Sequence, residues 1–187
     1  MIRFLEGVLE EKKDLGVLVN VHGVGYGLSC SQFTLEELPA TGEKVSLLVY
    51  HHITDSDQRL FGFNSTAEKI LFEQLITVKG VGPKLGVTIL SGMPINELMS
   101  AIMNGQAGIL SKIPGIGKKS AERIILELRE KVADTSARGE GIEGGGESGL
   151  NNVTMEAVQA LCSRGFRVKD AEEVVAKIQK SGQDAGL

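Results

Sequence analysis

The sequence predicts an α+β protein of several domains, in which a barrel of β-strands precedes an all-α domain, a flexible linker and a small helical domain. Three observations predict this order. Apolar and polar residues alternate over the first third of the chain, helical spacing replaces the alternation after Ser65, and a glycine-rich run precedes the last helical segments. The expected domain bounds are 1–63, 64–133, 134–150 and 151–187.

The first domain contains five segments of alternating or β-branched residues, separated by turns rich in Gly, Pro and Asp. Five short strands avoid long open edges by closing into a barrel. The OB-fold is the commonest five-stranded solution, although an SH3-like barrel would leave a similar pattern. We therefore expect an N-terminal five-stranded OB-fold β-barrel. The predicted strands are Arg3–Leu9, Gly16–Val21, Val24–Cys30, Lys44–His52 and Arg59–Phe63.

The central domain begins where Ser65 and Glu68 form the sequence pattern of a capping box, ahead of an apolar stripe at helical spacing. Pro83 suits the first position of a second helix, and Gly92 suits its end. A long amphipathic helix closes the domain, because its apolar residues share one face. The helices after the first are expected at 83–92, 94–104, 106–113 and 118–132.

The segment 134–150 has six glycines and five charged residues, and it cannot bury enough apolar surface to offset the entropy of ordering it. We expect a flexible linker there. Beyond it, helical patterns cover 153–163 and 170–180, with Gly165 as the stop of the first.

The net charge of −4 is distributed unevenly along the chain. Residues 77–131 contain eight Lys or Arg against four Glu, whereas residues 1–63 contain five basic against nine acidic residues. A basic middle between acidic flanks is compatible with binding of nucleic acid, which an even distribution of the same charge would disfavour.

Several classes of protein are excluded by other patterns. Met1–Glu11 alternates apolar and polar residues, unlike a signal peptide, and no run approaches the ~20 apolar residues of a membrane span. The two cysteines, Cys30 and Cys162, lie in different predicted domains, so we expect core thiols in a reducing cytoplasm. No metal site or cofactor is predicted.

The sharpest feature is an internal repeat in the basic segment. Val78–Lys84 and Ile113–Lys119 share the pattern apolar-x-Gly-apolar-Gly-x-Lys, each between two amphipathic helices. Glycines allow a tight turn there and leave open the amides at the start of the following helix. Such amides and the helix dipole bind phosphate oxygens, and the neighbouring lysine adds a positive charge. We therefore expect two helix-hairpin-helix elements that bind DNA backbone without reading its sequence.

A single Gly-x-Gly turn between helices is as often a simple glycine cap. Two copies with matching lysines, inside the only basic segment, favour DNA binding. The second copy also imitates the end of a Walker A loop, but that motif requires Gly at position 112 and Ser or Thr at 119, where the chain has Lys112 and Lys119. No ATP site is predicted.

Six motifs, in this order, give the chain a resemblance to the RuvA family of Holliday-junction recognition subunits over essentially its whole length. They are His22–Tyr26 (HGVGY), Leu60–Phe63 (LFGF), Gly80–Lys84 (GVGPK), Ile89–Gly92 (ILSG), Pro114–Lys119 (PGIGKK) and Ala121–Ile124 (AERI). The resemblance implies a homotetramer, alone or as a pair of tetramers, that seats an open four-way DNA junction on a basic face.

The resemblance also implies partners and a division of labour. The C-terminal unit of the family, a small UBA-like helical domain, docks the motor ATPase RuvB, and the RuvC resolvase is a further expected partner. The chain itself is expected to be non-catalytic, without a cofactor, and to act in recombination and DNA repair. The family has a third helix in this unit, which we expect residues 151–187 to lack.

The resemblance assigns an acidic pin, residues 54–58, that points into the junction and repels phosphates. Its acids here are Asp55 and Asp57, separated by Ser56, so they share a face only if the segment is extended. The resemblance places on the DNA backbone Lys79, Gly80, Val81, Gly82, Lys84, Gly115, Ile116, Gly117, Lys118, Lys119 and Arg123.

Two other classes of function remain as alternatives. A DNA-repair enzyme could use the same hairpins for grip, although residues 77–131 contain no Asp to serve as the acid of base excision. A protein-interaction scaffold would fit the acidic total charge but leaves the two lysine-flanked hairpins unexplained.

Overall fold

The computed structural model describes residues 1–137; most of the predicted linker and both predicted C-terminal helices lie outside them. The described part has five strands and six helices. In chain order they are β1 Phe4–Lys13, β2 Gly16–Val21, β3 Val24–Cys30, α1 Gln32–Glu37, β4 Lys44–Ile53, β5 Gln58–Phe63, α2 Thr66–Leu75, α3 Pro83–Gly92, α4 Ile95–Met103, α5 Ala107–Leu110 and α6 Lys118–Ala137.

The five predicted strands form a closed barrel in the order β1-β2-β3-β5-β4, with β4 pairing back onto β1. All neighbours are antiparallel except β3 and β5, which run parallel. The parallel closure confirms the OB-type barrel and excludes the SH3-like alternative, whose pairs are antiparallel. Alternate residues of each strand fill the interior, among them Leu9, Val19, Cys30 and Leu47.

Helix α1 is absent from the sequence prediction. Ser31 caps it by accepting a hydrogen bond from Thr34 N at 3.0 Å, and Leu35 and Leu38 pack into the barrel core. Six residues are too few to show a helical repeat of apolar positions, which is why periodicity missed this element.

The barrel and the helices are joined by an aromatic cluster around Phe72 of α2. Tyr50, Phe61 and Phe63 of β4 and β5 lie against it, with ring centroids 5.3, 5.4 and 4.8 Å from that of Phe72. Each fully buried Phe contributes about 1.5–3 kcal/mol, and each aromatic pair adds about 0.5–1.5 kcal/mol. The second half of β5, Phe61–Phe63, is therefore buried on both faces, and barrel and helices belong to one compact unit.

The opposite face of β5 explains why position 62 is glycine. A β-carbon on Gly62 would lie 3.0 Å from Cys30 Sγ and 3.3 Å from Leu47 Cδ1, inside the barrel. Any larger residue would have to displace these side chains of the barrel core.

A second link between barrel and helices is the buried carboxylate of Glu68. Half of the predicted capping box is present, since Ser65 Oγ accepts from Glu68 N at 3.2 Å. The other half is replaced, because the Glu68 carboxylate accepts hydrogen bonds from the hydroxyls of Ser31 and Thr34, the latter at 2.5 Å. Burial raises the pKa of Glu68, and these hydrogen bonds partly oppose the shift.

The helical part follows the sequence prediction with two differences. Helix α5 covers only Ala107–Leu110 instead of 106–113, because Ser111 to Gly117 form the second hairpin. Helix α6 continues to Ala137, past the expected boundary at 133, with Val132 still buried. Within residues 1–137 no single helix is long and apolar enough to cross a membrane; α3 and α4 reach that length only as a pair bent by 101°.

The Glu68 site predicts a pH-dependent stability. Above the ordinary carboxyl pKa of 4.5, and up to the raised value, the folded protein binds more protons than the unfolded chain, so its free energy of unfolding falls as pH rises. Glu68→Gln has no charge to desolvate, and we expect its stability to change less over this window. Urea unfolding of both proteins between pH 4.5 and about 8 tests this; superimposable pH profiles would contradict it.

Candidate nucleic-acid interface

The two hairpins predicted from the repeat close with the same three backbone hydrogen bonds. Hairpin 1, residues 76–82, has Val78 N to Leu75 O, Val81 N to Val78 O and Gly86 N to Gly82 O, at 3.1, 3.0 and 2.9 Å. Hairpin 2, residues 111–117, has Ile113 N to Leu110 O, Ile116 N to Ile113 O and Ala121 N to Gly117 O, at 3.1, 3.0 and 3.0 Å. The sequence repeat is therefore also a structural repeat.

The first glycine of each hairpin has a left-handed backbone, with φ of +94° at Gly80 and +83° at Gly115. A β-carbon at position 80 would meet no atom within 4 Å, so the requirement there is conformational, as expected of a left-handed turn. At Gly115 a β-carbon would lie 3.1 Å from Leu85 Cδ1, so glycine is also needed for close packing. All four hairpin glycines are exposed, including Gly82 and Gly117.

The second glycine of each hairpin precedes a helix whose first amides have no intrahelical acceptor. Gly82 caps α3 with an extended backbone and no side-chain hydrogen bond, and Pro83 at the first position has no N–H to satisfy. Within residues 1–137, the amides of Gly82 and Gly117 donate to no protein acceptor. Both helices thus present open N–H groups and the positive end of a dipole, which together favour an anion.

Basic side chains surround these open amides. Lys79, Lys84, Lys118 and Lys119 are all exposed. Across the described residues, none of them lies within 4.0 Å of a carboxylate, since the ion pairs there involve other residues. Their charges are therefore available to an external anion such as a phosphate.

The hairpins lie beside each other, as the close approach of Leu85 to Gly115 shows. A second contact links them, because Arg123 Nη1 of α6 donates to Lys79 O of hairpin 1 at 3.2 Å. The two turns therefore form one exposed basic surface, which we call the hairpin surface: residues 79–85 and 115–123.

Two residues predicted to contact DNA have another role. Val81 and Ile116 are each only 5% exposed and belong to the helical core. Their amides already donate to Val78 O and Ile113 O. Their side chains anchor the turns from within, because burial of an apolar side chain between the two exposed glycines stabilises the turn against the core.

The predicted acidic pin is the tight turn between β4 and β5. Thr54 N donates to Asp57 O at 2.9 Å and Asp57 N donates to Thr54 Oγ1 at 3.0 Å, which places Asp55 and Ser56 at the tip. The two acids differ, because Asp57 forms an ion pair with Arg59 while Asp55 has no ion-pair partner among residues 1–137.

Sequence reasoning missed Arg59 as part of this site. The signal was present, since residues i and i+2 of an extended strand share a face and carry opposite charges here. Of the two acids assigned to the predicted pin, Asp55 is therefore the one without an ion-pair partner within residues 1–137.

Comparison with known proteins matches both halves of the described structure. Residues 1–62 match the family model for the RuvA N-terminal domain, and residues 72–130 match that for a SAM-like helix-hairpin-helix tandem. Proteins named Holliday junction branch migration complex subunit RuvA are similar over most of both chains. Examples are those of Delftia acidovorans (40% identical, 100% of this chain and 93% of the relative), an Acidovorax species (42%, 91% and 86%) and Sodalis glossinidius (35%, 100% and 95%).

The hairpin geometry predicts that Gly80→Ala weakens DNA binding in a way that lost stability does not explain. Forcing alanine into a left-handed backbone costs about 1–2 kcal/mol, or else the turn relaxes and its amides move. A lost charge-assisted hydrogen bond corresponds to about a tenfold weaker affinity. Fluorescence anisotropy with labelled DNA measures it.

Gly42→Ala is the matched control for this prediction. Gly42 has a φ of +92°, is exposed, has no atom near a β-carbon, and lies in a barrel turn outside the hairpin surface. We expect the two variants to lose similar thermal stability and only Gly80→Ala to bind less DNA. If Gly80→Ala and Gly42→Ala bound DNA with equal affinity, the result would show that the turn at Gly80 does not contact DNA.

Proposed function

The chain belongs to the RuvA family, and from this premise we propose that it binds four-way (Holliday) DNA junctions and holds them open for branch migration. The observation that carries the proposal is the hairpin surface, where two equivalent turns present unbonded amides beside lysines without carboxylate partners. The relatives are named as subunits of a Holliday junction branch migration complex.

Recognition through this surface depends on shape and not on base sequence. The open groups are backbone amides and ammonium groups, which suit phosphate oxygens and do not read base edges. The two hairpins are held beside each other by the Leu85–Gly115 contact and by Arg123, so they can bind phosphates only at a matching spacing. DNA whose backbone follows that track is preferred over DNA that merely carries charge.

We further propose a homotetramer, alone or paired, on one junction. Four equal arms present the same phosphate track four times, and a four-fold assembly offers one hairpin surface to each arm. In such an assembly the acidic pins meet near the crossover, where their carboxylates repel the strands and keep the paired arms apart. Asp55 carries this repulsion, because the charge of Asp57 is compensated by Arg59.

The remaining parts of the proposal rest on the family. The chain supplies no catalytic step, and hydrolysis of ATP belongs to the motor RuvB, which residues 151–187 contact. RuvC is a further proposed partner, the process served is homologous recombination and DNA repair, and the compartment is the cytoplasm. The free, buried thiol of Cys30 supports a reducing compartment.

A gel shift with a four-way junction and a linear duplex of equal length tests the proposal directly. We expect the junction to be retained at a protein concentration that leaves the duplex free. A protein-interaction scaffold would shift neither DNA. A repair enzyme would bind both and cleave a lesion-bearing duplex when neither metal nor ATP is present.

The lysines predict a measurable salt dependence. Replacing Lys84 and Lys118 together by Ala removes two phosphate contacts, so the slope of log affinity against log salt becomes shallower by about 1–2 units. Lys44→Ala is the control, because Lys44 is exposed on β4 outside the hairpin surface and keeps the slope of the unmodified protein. If the double variant at Lys84 and Lys118 kept the same slope as Lys44→Ala, the hairpin surface would not be the face that binds DNA.

The pin predicts unequal effects of its two acids. Asp55→Asn removes the unpaired charge, so we expect less opening of the crossover, whereas the double variant Asp57→Asn with Arg59→Gln removes a neutral ion pair, leaves that charge in place and largely preserves opening. Fluorescence of 2-aminopurine placed beside the crossover reports unstacking. Equal losses of signal in the two variants would contradict the assignment of repulsion to Asp55.

A further inference from the structure

The side chain of Arg123 contacts hairpin 1 and belongs to the helix that follows hairpin 2. Its Nη1 donates to Lys79 O at 3.2 Å, and within residues 1–137 that carbonyl accepts no other hydrogen bond. We infer that Arg123 is a positioning residue that orients the Gly80 amide toward a DNA phosphate, and that it is not itself a phosphate ligand. The DNA part of this inference rests on the proposed function.

A contact at Lys79 O can orient the Gly80 amide because the peptide bond that joins them is planar. Lys79 C=O and Gly80 N–H belong to one trans peptide unit, so they point in opposite directions. A guanidinium that holds the carbonyl on the protein side therefore holds the N–H on the other side. Such a restraint is needed at this position, because glycine populates left- and right-handed backbone about equally and the peptide before it can rotate.

Hairpin 2 restricts its turn by another route. The residue equivalent to Lys79 is Pro114, whose ring fixes its own φ near −65° and so removes one rotatable bond of the turn. Among the described residues, Pro114 O accepts no hydrogen bond. The position equivalent to Arg123 is Thr88, whose hydroxyl bonds within its own helix to Lys84 O at 3.1 Å. Hairpin 2 is thus restricted by a proline in its own turn, and hairpin 1 by an arginine from the helix that follows hairpin 2.

A further contact supports this role for α6. Lys131 Nζ lies 3.4 Å from Thr77 Oγ1, at the start of hairpin 1, so two basic side chains of α6 reach the same turn. Arg123 and Lys131 are eight residues apart on α6, which places them on the same side of the helix. Hairpin 1 is thus held along its length by the helix that begins at hairpin 2.

The first test needs no DNA. In the free protein, Arg123→Gln should increase hydrogen exchange at Val81 N, whose bond to Val78 O closes hairpin 1. Exchange at Ile116 N, which closes hairpin 2, should stay unchanged and serves as the internal control. Unchanged exchange at Val81 would overturn the inference whether or not the protein binds junctions.

The second test separates positioning from direct contact. A positioning role predicts that Arg123→Gln weakens junction binding about tenfold while the salt slope stays within about half a unit of the unmodified protein. Lys118→Ala, the comparison, should make the slope shallower by about 0.9. A slope for Arg123→Gln that matches Lys118→Ala would identify Arg123 as a phosphate ligand and overturn the inference.

The third test introduces the proline of hairpin 2 at the equivalent position of hairpin 1. Lys79→Pro in the Arg123→Gln background should restore part of the lost affinity, because the proline fixes one backbone angle of the same turn and Lys79 N donates no hydrogen bond within residues 1–137. Lys79→Ala in that background loses the same charge without the ring and should give no rescue. Equal affinities of the two double variants would count against orientation of Gly80. If the unmodified protein binds no junction, the proposed function fails, and the exchange measurement alone decides the role of Arg123.

Discussion

The structure depends on the packing of Phe72 against the outer face of the barrel. The rings of Phe61 and Phe63 come from β5, which is also the second strand of the acidic pin, while Phe72 lies on α2, which leads into hairpin 1. A continuous path of covalent chain and close packing therefore runs from the pin to the hairpin surface. If this contact were loose, the acidic and basic parts of the site would move independently and could not match one DNA geometry.

The buried carboxylate of Glu68 strengthens the same contact between barrel and helices through hydrogen bonds. Aromatic rings pack in more than one arrangement and over a range of distances, whereas the hydrogen bonds from Ser31 and Thr34 require one orientation of α1 relative to α2. The desolvation of Glu68, seen in its raised pKa, is a cost that apolar packing would avoid. We interpret the carboxylate as a device that sets the angle between barrel and helices.

The hairpin surface shows how an acidic protein can offer a site to an anion. The net charge of −4 matters less than the position of the charges, because screening limits each one to about 8–10 Å at physiological salt. Lysines without carboxylate partners lie beside open amides in the hairpins, while Asp55 lies at the tip of the pin. Attraction and repulsion are thus separated in space, which a sum over the chain conceals.

The sequence by itself determined the five strands, most helix bounds and the two hairpins, because periodicity, glycine turns and repeats act over a few residues. Only the tertiary structure decided α1, the partners of Glu68, the buried roles of Val81 and Ile116, the pairing of Asp57 with Arg59 and the contact of Arg123 with Lys79. For most of these the physical reason is distance along the chain. Ser31 meets Glu68 and Lys79 meets Arg123 only after folding, and no local pattern encodes which peptide a distant side chain will hold.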